Sequence, residues 1–397
     1  MDKPNDPFSH IPELSFILNE LGEDRQAYFN AVAPPIMQTS NFAFETVAEL
    51  RTAFKDEMGG YLYSRGLNPT VDILRKKLAA LDGAEDGLVF ANGAAAIFAG
   101  VLANVKSGDH IISVRNAYSW AQRMFDVILP RFGITTTYID GRTIEAFRQA
   151  HQPNTTFIYL ESPSSWAFEL QPLREVALFA KENNITTLID NSYCTPLYQK
   201  PYELGIDLCM QTATKFIGGH SDTLGGVLTG SGPMIKKIFD SEYLNIGSGI
   251  SPFNAWLLLR GLRTLPMRLE RTSHTTRQVV AHLRQHPKIE QVVYPGDPAF
   301  AQAALAGKQM KSGGALFTFT IKGGTAASIT RFCDALQHIL MAVSWGGHES
   351  LIIPKCAGFE PQLFDESAYE HQLIRMYCGL EEPQYLIDDL EQALGKI

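Results

Sequence analysis

Apolar and polar positions follow two rhythms along this chain. From Gly87 onward, short apolar runs rich in β-branched residues alternate with stretches of helical spacing. Runs at residues 88–91, 110–114, 134–138, 155–160, 185–190, 206–211 and 224–229 predict strands, and the segments between them predict crossover helices. That alternation points to a mainly parallel sheet in an α/β fold. Residues 1 to about 60 carry no strong sheet pattern, and Pro34-Pro35 with Gly59-Gly60 punctuate them as an arm with a helix near 46–58. Asn68-Pro69 interrupts regular structure before a helix over 71–81. A long helical pattern over 252–285 leads to strands at 314–321 and 373–378 and helices at 326–336 and 382–394, an α+β pattern. The expected organisation is an arm (1–60), a large α/β domain (61–250) and a smaller C-terminal α+β domain (251–397).

Composition narrows the function more than the fold. A length of 397 residues, 45% of them hydrophobic, suffices for two domains. A formal net charge of -8 with no basic block argues against nucleic acid as a partner, and no apolar stretch approaches the length of a membrane span. The polar start, Met1-Asp2-Lys3-Pro4-Asn5-Asp6, lacks a secretory pattern, so the expected location is cytoplasmic. Five cysteines without a C-x-x-C spacing suggest neither a disulfide framework nor a zinc site, and no metal site is expected. His220 and His348 read as structural, with no ligand companion at helical spacing.

The candidate chemistry centres on Lys215. It follows the 206–211 strand within Thr212-Ala213-Thr214-Lys215-Phe216-Ile217-Gly218-Gly219, and so stands at a strand's carboxyl end, where open α/β sheets bind ligands. An amine there can condense with a carbonyl cofactor. Thr212 and Thr214 offer hydroxyls to a phosphate, and the glycines allow backbone to come close. Asp190 ends another strand, and a cationic ring nitrogen beside it would keep that carboxylate ionised despite burial. Asn92-Gly93-Ala94 opens a helix after the first strand, placing the Gly93 and Ala94 amides where a helix N-terminus attracts phosphate. The plain alternatives are a surface lysine, a turn-capping aspartate and small residues for close helix packing. Arg375 lies inside an apolar strand, where a charge needs a partner, either an internal acid or a substrate carboxylate.

Taken together, Asp190-Asn191-Ser192-Tyr193, the Lys215 segment, Tyr63-Ser64-Arg65 with Asn68-Pro69-Thr70, and Ser344-Trp345-Gly346-Gly347-His348-Glu349-Ser350 resemble the pyridoxal-phosphate enzymes of cysteine and methionine metabolism. The resemblance covers nearly the whole chain. It implies pyridoxal 5′-phosphate as cofactor and the fold type I, aspartate-aminotransferase-like architecture, with a small-molecule sulfur amino acid as substrate. By resemblance, Tyr118 stacks on the cofactor ring, Arg375 takes the substrate α-carboxylate, and Ser344 and Trp345 line the substrate pocket. Tyr63 and Arg65 would reach the cofactor phosphate of a neighbouring protomer, making the enzyme a homo-oligomer, a dimer at least and a tetramer by expectation. Ser165 stands where the family often has Asn, so its contact with the ring oxygen is expected to be weaker.

Within the family, the segments around Tyr118, Glu161 and Trp345 are similar to bacterial cystathionine β-lyases. Tyr63-Ser64-Arg65 and Ile217-Gly218-Gly219-His220 look more like γ-type members. The expected activity is β-elimination of L-cystathionine or a related cysteine S-conjugate; γ-synthase, γ-lyase and a catalytically silent homologue remain as alternatives.

Overall fold

The computed structural model describes residue 8 and residues 13–397; Met1–Asp6, whose polarity entered the localisation argument, lies outside them. Runs of Val, Ile, Leu and Thr that can be covered on both faces make parallel strands, and twelve strands among the described residues form two sheets. The larger holds β1 (Asp86–Phe90), β2 (His110–Val114), β3 (Thr135–Ile139), β4 (Thr155–Glu161), β5 (Thr186–Asp190), β6 (Leu208–Gln211) and β7 (Gly226–Gly230), in the order β1-β7-β6-β5-β4-β2-β3. Strands β3, β2, β4, β5 and β6 are parallel neighbours, while β7 runs antiparallel between β6 and β1. Both faces are covered, as period two requires: Leu88 and Phe90 join one apolar cluster and Val89 the other.

Four consecutive parallel strands release their chains at the same edge. The segments carrying Tyr118, Glu161 to Ser165, Asp190 and Lys215 follow or end β2, β4, β5 and β6, so one rim collects them. That is the rim where doubly wound sheets bind ligands.

The second sheet holds β8 (Ile289–Val293), β9 (Leu316–Ile321), β10 (Leu340–Met341), β11 (Leu351–Pro354) and β12 (Ile374–Tyr377), in the order β10-β11-β12-β9-β8. It packs with the Ala326–Asp334 and Pro383–Leu394 helices around its own apolar cluster. Two details differ from the sequence reading. The 252–285 pattern divides into helices Pro252–Leu262 and Leu265–Gln285, because Pro266 has no N–H to donate and is accommodated in a first turn. Strands β8 and β11, and the two-residue β10, stand outside the expected strands. The first has two exposed positions and the second only four residues, too little pattern to distinguish from loop.

The amino-terminal segment is also more attached to its own chain than an arm implies. Helix Leu14–Asn19 buries Ile17 and Leu18, and Lys77, from helix Pro69–Asp82, reaches the Ile17 carbonyl oxygen at 2.9 Å and pairs with Glu23 at 3.1 Å. By contrast the helix Val47–Lys55 buries no residue. Among the described residues, no helix is long and apolar enough to cross a membrane.

Candidate active site

A cavity of about 590 Å³ opens at the rim of the large sheet, and it is lined by Tyr118, Asp190, Thr212, Lys215, Ser344, Trp345 and Arg375 among others. Seven residues singled out from separate places in the sequence therefore converge on one space. Lys215 sits in the turn after β6, partly buried, with its Nζ 2.5 Å from Ser344 Oγ and 5.5 Å from the centre of the Trp345 ring. Burial, and then the positive Arg375, hold its amine down to about 8, against a smaller opposing pull from Asp190. A lysine so shifted is neutral often enough at physiological pH to act as nucleophile or base.

Ser344 is held at φ 87°, a region that disfavours any residue with a side chain. The strain has a visible return: it aims a hydroxyl at the Lys215 amine. Close packing fixes this loop, since a Cβ on Gly346 would fall 2.8 Å from the Lys215 carbonyl carbon. Trp345 packs edge-on to Phe216 at 5.4 Å between ring centres and lies 6.4 Å from Tyr193. It thus forms a fixed wall beside the lysine.

Asp190 is buried and accepts a hydrogen bond from the Ser192 amide at 2.9 Å. Burial raises its pKa, opposed by the Ser192 contacts and by Lys215. The ring nitrogen of a pyridine cofactor is the cation that would reverse that shift. Gly93 begins helix Gly93–Leu102, capped by Asn92, and adjoins Thr212 so closely that a Cβ there would collide with Thr212 Oγ1. A buried acid, a depressed lysine and a helix N-terminus beside a threonine hydroxyl fit pyridoxal phosphate: Lys215 would hold its aldehyde carbon, Asp190 its nitrogen, and the Gly93 and Ala94 amides with Thr212 its phosphate.

Other expected residues stand apart. Thr214 does not line the cavity; its hydroxyl accepts from the Gly225 amide at 3.0 Å, tying the lysine turn to the approach to β7. Tyr63 and Arg65 are exposed and line a different groove, formed by residues between Asn41 and Arg65. Within this chain they do not meet Lys215's cavity. The Ser165 hydroxyl is committed to Glu161, 2.6 Å away.

Among the lining residues that the sequence reading gave no role, Glu161, Trp166 and Lys355 carry charge or an aromatic face into the site. Glu161 ends β4 directly opposite Asp190 on β5, accepts from the Tyr118 amide at 2.6 Å and from Ser165, and so pins both segments to the rim. Burial, and then Asp190, push it up to about 8. Trp166 lies under the Arg375 guanidinium, 4.7 Å from its ring centre, and Lys355 stands 5.4 Å from the same ring. Only the acid at the end of a strand was a signal the sequence offered; nothing local marks Trp166 or Lys355. Arg375 is buried, which lowers its pKa to about 10; it donates to the Ser165 carbonyl oxygen at 3.2 Å and, among the described residues, forms no ion pair with a carboxylate.

Comparison with known proteins agrees with this arrangement. The profile of the Cys/Met metabolism PLP-dependent enzymes matches residues 17–395. An L-methionine gamma-lyase of Treponema denticola is 35% identical over 93% of this chain and 94% of its own, and the chloroplastic cystathionine beta-lyase of Arabidopsis thaliana is 32% identical over 92% and 77%. The crystal structure of metB from Corynebacterium glutamicum superposes with a TM-score of 0.89 at 30% identity, covering 98% of this chain and 99% of the other. With its type I α/β sheet, C-terminal α+β unit and lysine-centred cavity, the chain belongs to the pyridoxal-phosphate-dependent enzymes of cysteine and methionine metabolism.

Proposed function

We propose that the protein is a carbon–sulfur lyase that breaks the Cβ–S bond of L-cystathionine or a related cysteine S-conjugate, releasing a thiol (homocysteine from cystathionine), pyruvate and ammonia. The observation that carries this reading is the fixed Trp345 wall beside Lys215, in a cavity that also holds Arg375. β-Elimination needs one base that reaches Cα and, by a short swing, the sulfur on Cβ. γ-Chemistry asks for a further proton shift at Cβ and room for a group leaving one carbon farther out.

Pyridoxal phosphate, when bound, supplies the electron sink that makes the Cα proton removable. Lys215 takes that proton as general base and returns it to the departing sulfur, with Ser344 Oγ orienting its amine. Arg375 would grip the α-carboxylate and so turn the Cα–H bond towards the Lys215 amine. With the cofactor in place, Asp190 would hold its ring nitrogen in the protonated form and Tyr118 would pack against the ring, its hydroxyl towards substrate. Tyr63 and Arg65 serve the phosphate of a neighbouring subunit, which makes the working unit a homodimer at least, and a tetramer if dimers pair. In this reading residues 1–60 are the intersubunit arm, 61–250 the cofactor domain and 251–397 the C-terminal domain of a cytoplasmic enzyme.

A second reading, γ-elimination of L-methionine, is favoured by relatives such as the Treponema denticola enzyme. Identifying the keto acid formed decides between them. Pyruvate from L-cystathionine supports the β-lyase. 2-Oxobutyrate from cystathionine or methionine sinks it, and turnover only of an acylated homoserine with cysteine indicates a synthase.

A further inference from the structure

One part of the cavity is not used by the chemistry at the lysine. Strands β11 and β12 pair with Ile353 opposite Arg375, and the ladder continues past Pro354, the Lys355 amide donating to the Leu373 carbonyl oxygen at 2.8 Å. Positions two apart on such a ladder share a face. Ile353, Lys355 and Arg375 accordingly all line the cavity. Trp166 receives both cations, with the Arg375 guanidinium carbon 4.7 Å and the Lys355 Nζ 5.4 Å from its ring centre. The two charges can be no farther apart than the sum of these, about 10 Å.

The ion pair available to Lys355 is a weak one. Its Nζ lies 3.8 Å from Glu370, at the outer limit for such contacts, and the Glu370 side chain is 67% exposed. An exposed, long pair of this kind contributes little and yields readily to a better-placed anion. An aromatic face under a lysine also holds the amine in place while leaving its N–H bonds free for an acceptor. Two cations on one ring, one buried and one half-buried, make a receptor for two anionic groups on one small molecule.

We propose that Lys355, braced on Trp166, binds a second carboxylate at the far end of the substrate, and that the cavity therefore selects thioether amino acids with a carboxylate at each end over those with one. The proposal rests on the lyase reading above, in which Arg375 takes the α-carboxylate. Seven covalent bonds separate the carboxylate carbons of a cysteine–homocysteine thioether, roughly 9 Å when extended at ordinary single-bond lengths, a span that two cations so placed can bridge.

The test compares L-cystathionine, with two carboxylates, against S-propyl-L-cysteine, with one, in wild type, Lys355→Met and Lys355→Arg. The expected result is that Lys355→Met lowers the ratio of kcat/KM for cystathionine to that for S-propylcysteine by roughly tenfold or more, mainly through KM, and that Lys355→Arg restores most of it. Equal losses on both substrates, or no change in the ratio, overturn the proposal. Inhibition constants of the amine-free acids 4-(2-carboxyethylthio)butanoate and 3-(propylthio)propanoate are measured by direct calorimetric binding to the cofactor-loaded protein, with no bond broken. If the wild type cleaves neither cysteine thioether, the lyase reading fails, and these two affinities still decide the role of Lys355: a preference for the diacid that Lys355→Met removes supports it, and a preference that survives the substitution refutes it.

Discussion

Two regions of this chain each carry an arginine and a tyrosine singled out from the sequence, yet the surroundings of the two pairs differ. Around Lys215, Arg375 is buried, Tyr118 is pinned through its amide by Glu161, and pKa values are displaced by burial. Between Asn41 and Arg65, Tyr63 and Arg65 are exposed, the Val47–Lys55 helix buries nothing, and Val47 and Phe54 are 71% and 66% exposed. The Arg65 guanidinium sits 5.7 Å from the Tyr63 ring. The difference teaches that one chain gathers Lys215, Asp190 and Arg375 around a single cavity, while Tyr63 and Arg65 stand on an exposed groove apart from it; on the proposed reading these two serve the phosphate of another copy.

The comparison is broken most severely at Lys215. Replacing it by alanine is expected to lower kcat by about 10²–10⁴-fold and to abolish the visible absorption of the covalently held cofactor; a variant that keeps both would remove Lys215 from the centre of the site. Next in size is Arg375→Ala, which should reduce kcat/KM by roughly 10²-fold, the scale of losing one partner of a desolvated charge pair, measured by steady-state kinetics with circular dichroism to confirm folding.

A sharper probe of the exposed half is to mix two inactive variants, Arg65→Ala and Lys215→Ala, under conditions that exchange subunits. If Arg65 acts across a two-fold interface, random pairing restores about a quarter of the wild-type sites, because half the dimers are mixed and each carries one intact site. No recovery would mean that each chain serves itself. The smallest effect is on pH. Because the Lys215 amine is held down to about 8, and only its neutral form attacks an aldehyde, uptake of pyridoxal phosphate by cofactor-free protein should rise about tenfold per pH unit below 8 and level off above it. An ordinary lysine would still be accelerating towards pH 10. Stopped-flow absorbance across pH 6–10 distinguishes the two.

Some of this was legible because it depends on short stretches of chain. Mostly apolar runs such as His110–Val114 announced doubly covered strands, and an acid at the end of one such run and a lysine just beyond another announced a rim site, since strand ends are where a sheet presents side chains to a ligand. Near-neighbour signals also marked the helix opening at Asn92-Gly93 and the helix read over 71–81, which the structure starts two residues earlier at Pro69. The division of the 252–285 pattern and the brief strand β11 were harder to read, because a single proline or four residues alter local structure without altering the apolar rhythm.

By itself, then, the sequence determined the alternation of strands and helices in the large sheet, the family's motif residues and a candidate lysine at a strand's end, all properties of neighbours along the chain. Only the tertiary structure decided which groups share a cavity. Trp166 lies some two hundred residues before Lys355 and Arg375, which the β11–β12 register places on one face, while Glu161 gained its place from facing Asp190 across two strands. Burial did the rest. The same lysine, aspartate and glutamate carry displaced pKa values only because the fold removes their water and sets their charges against one another, and no window of sequence contains that information.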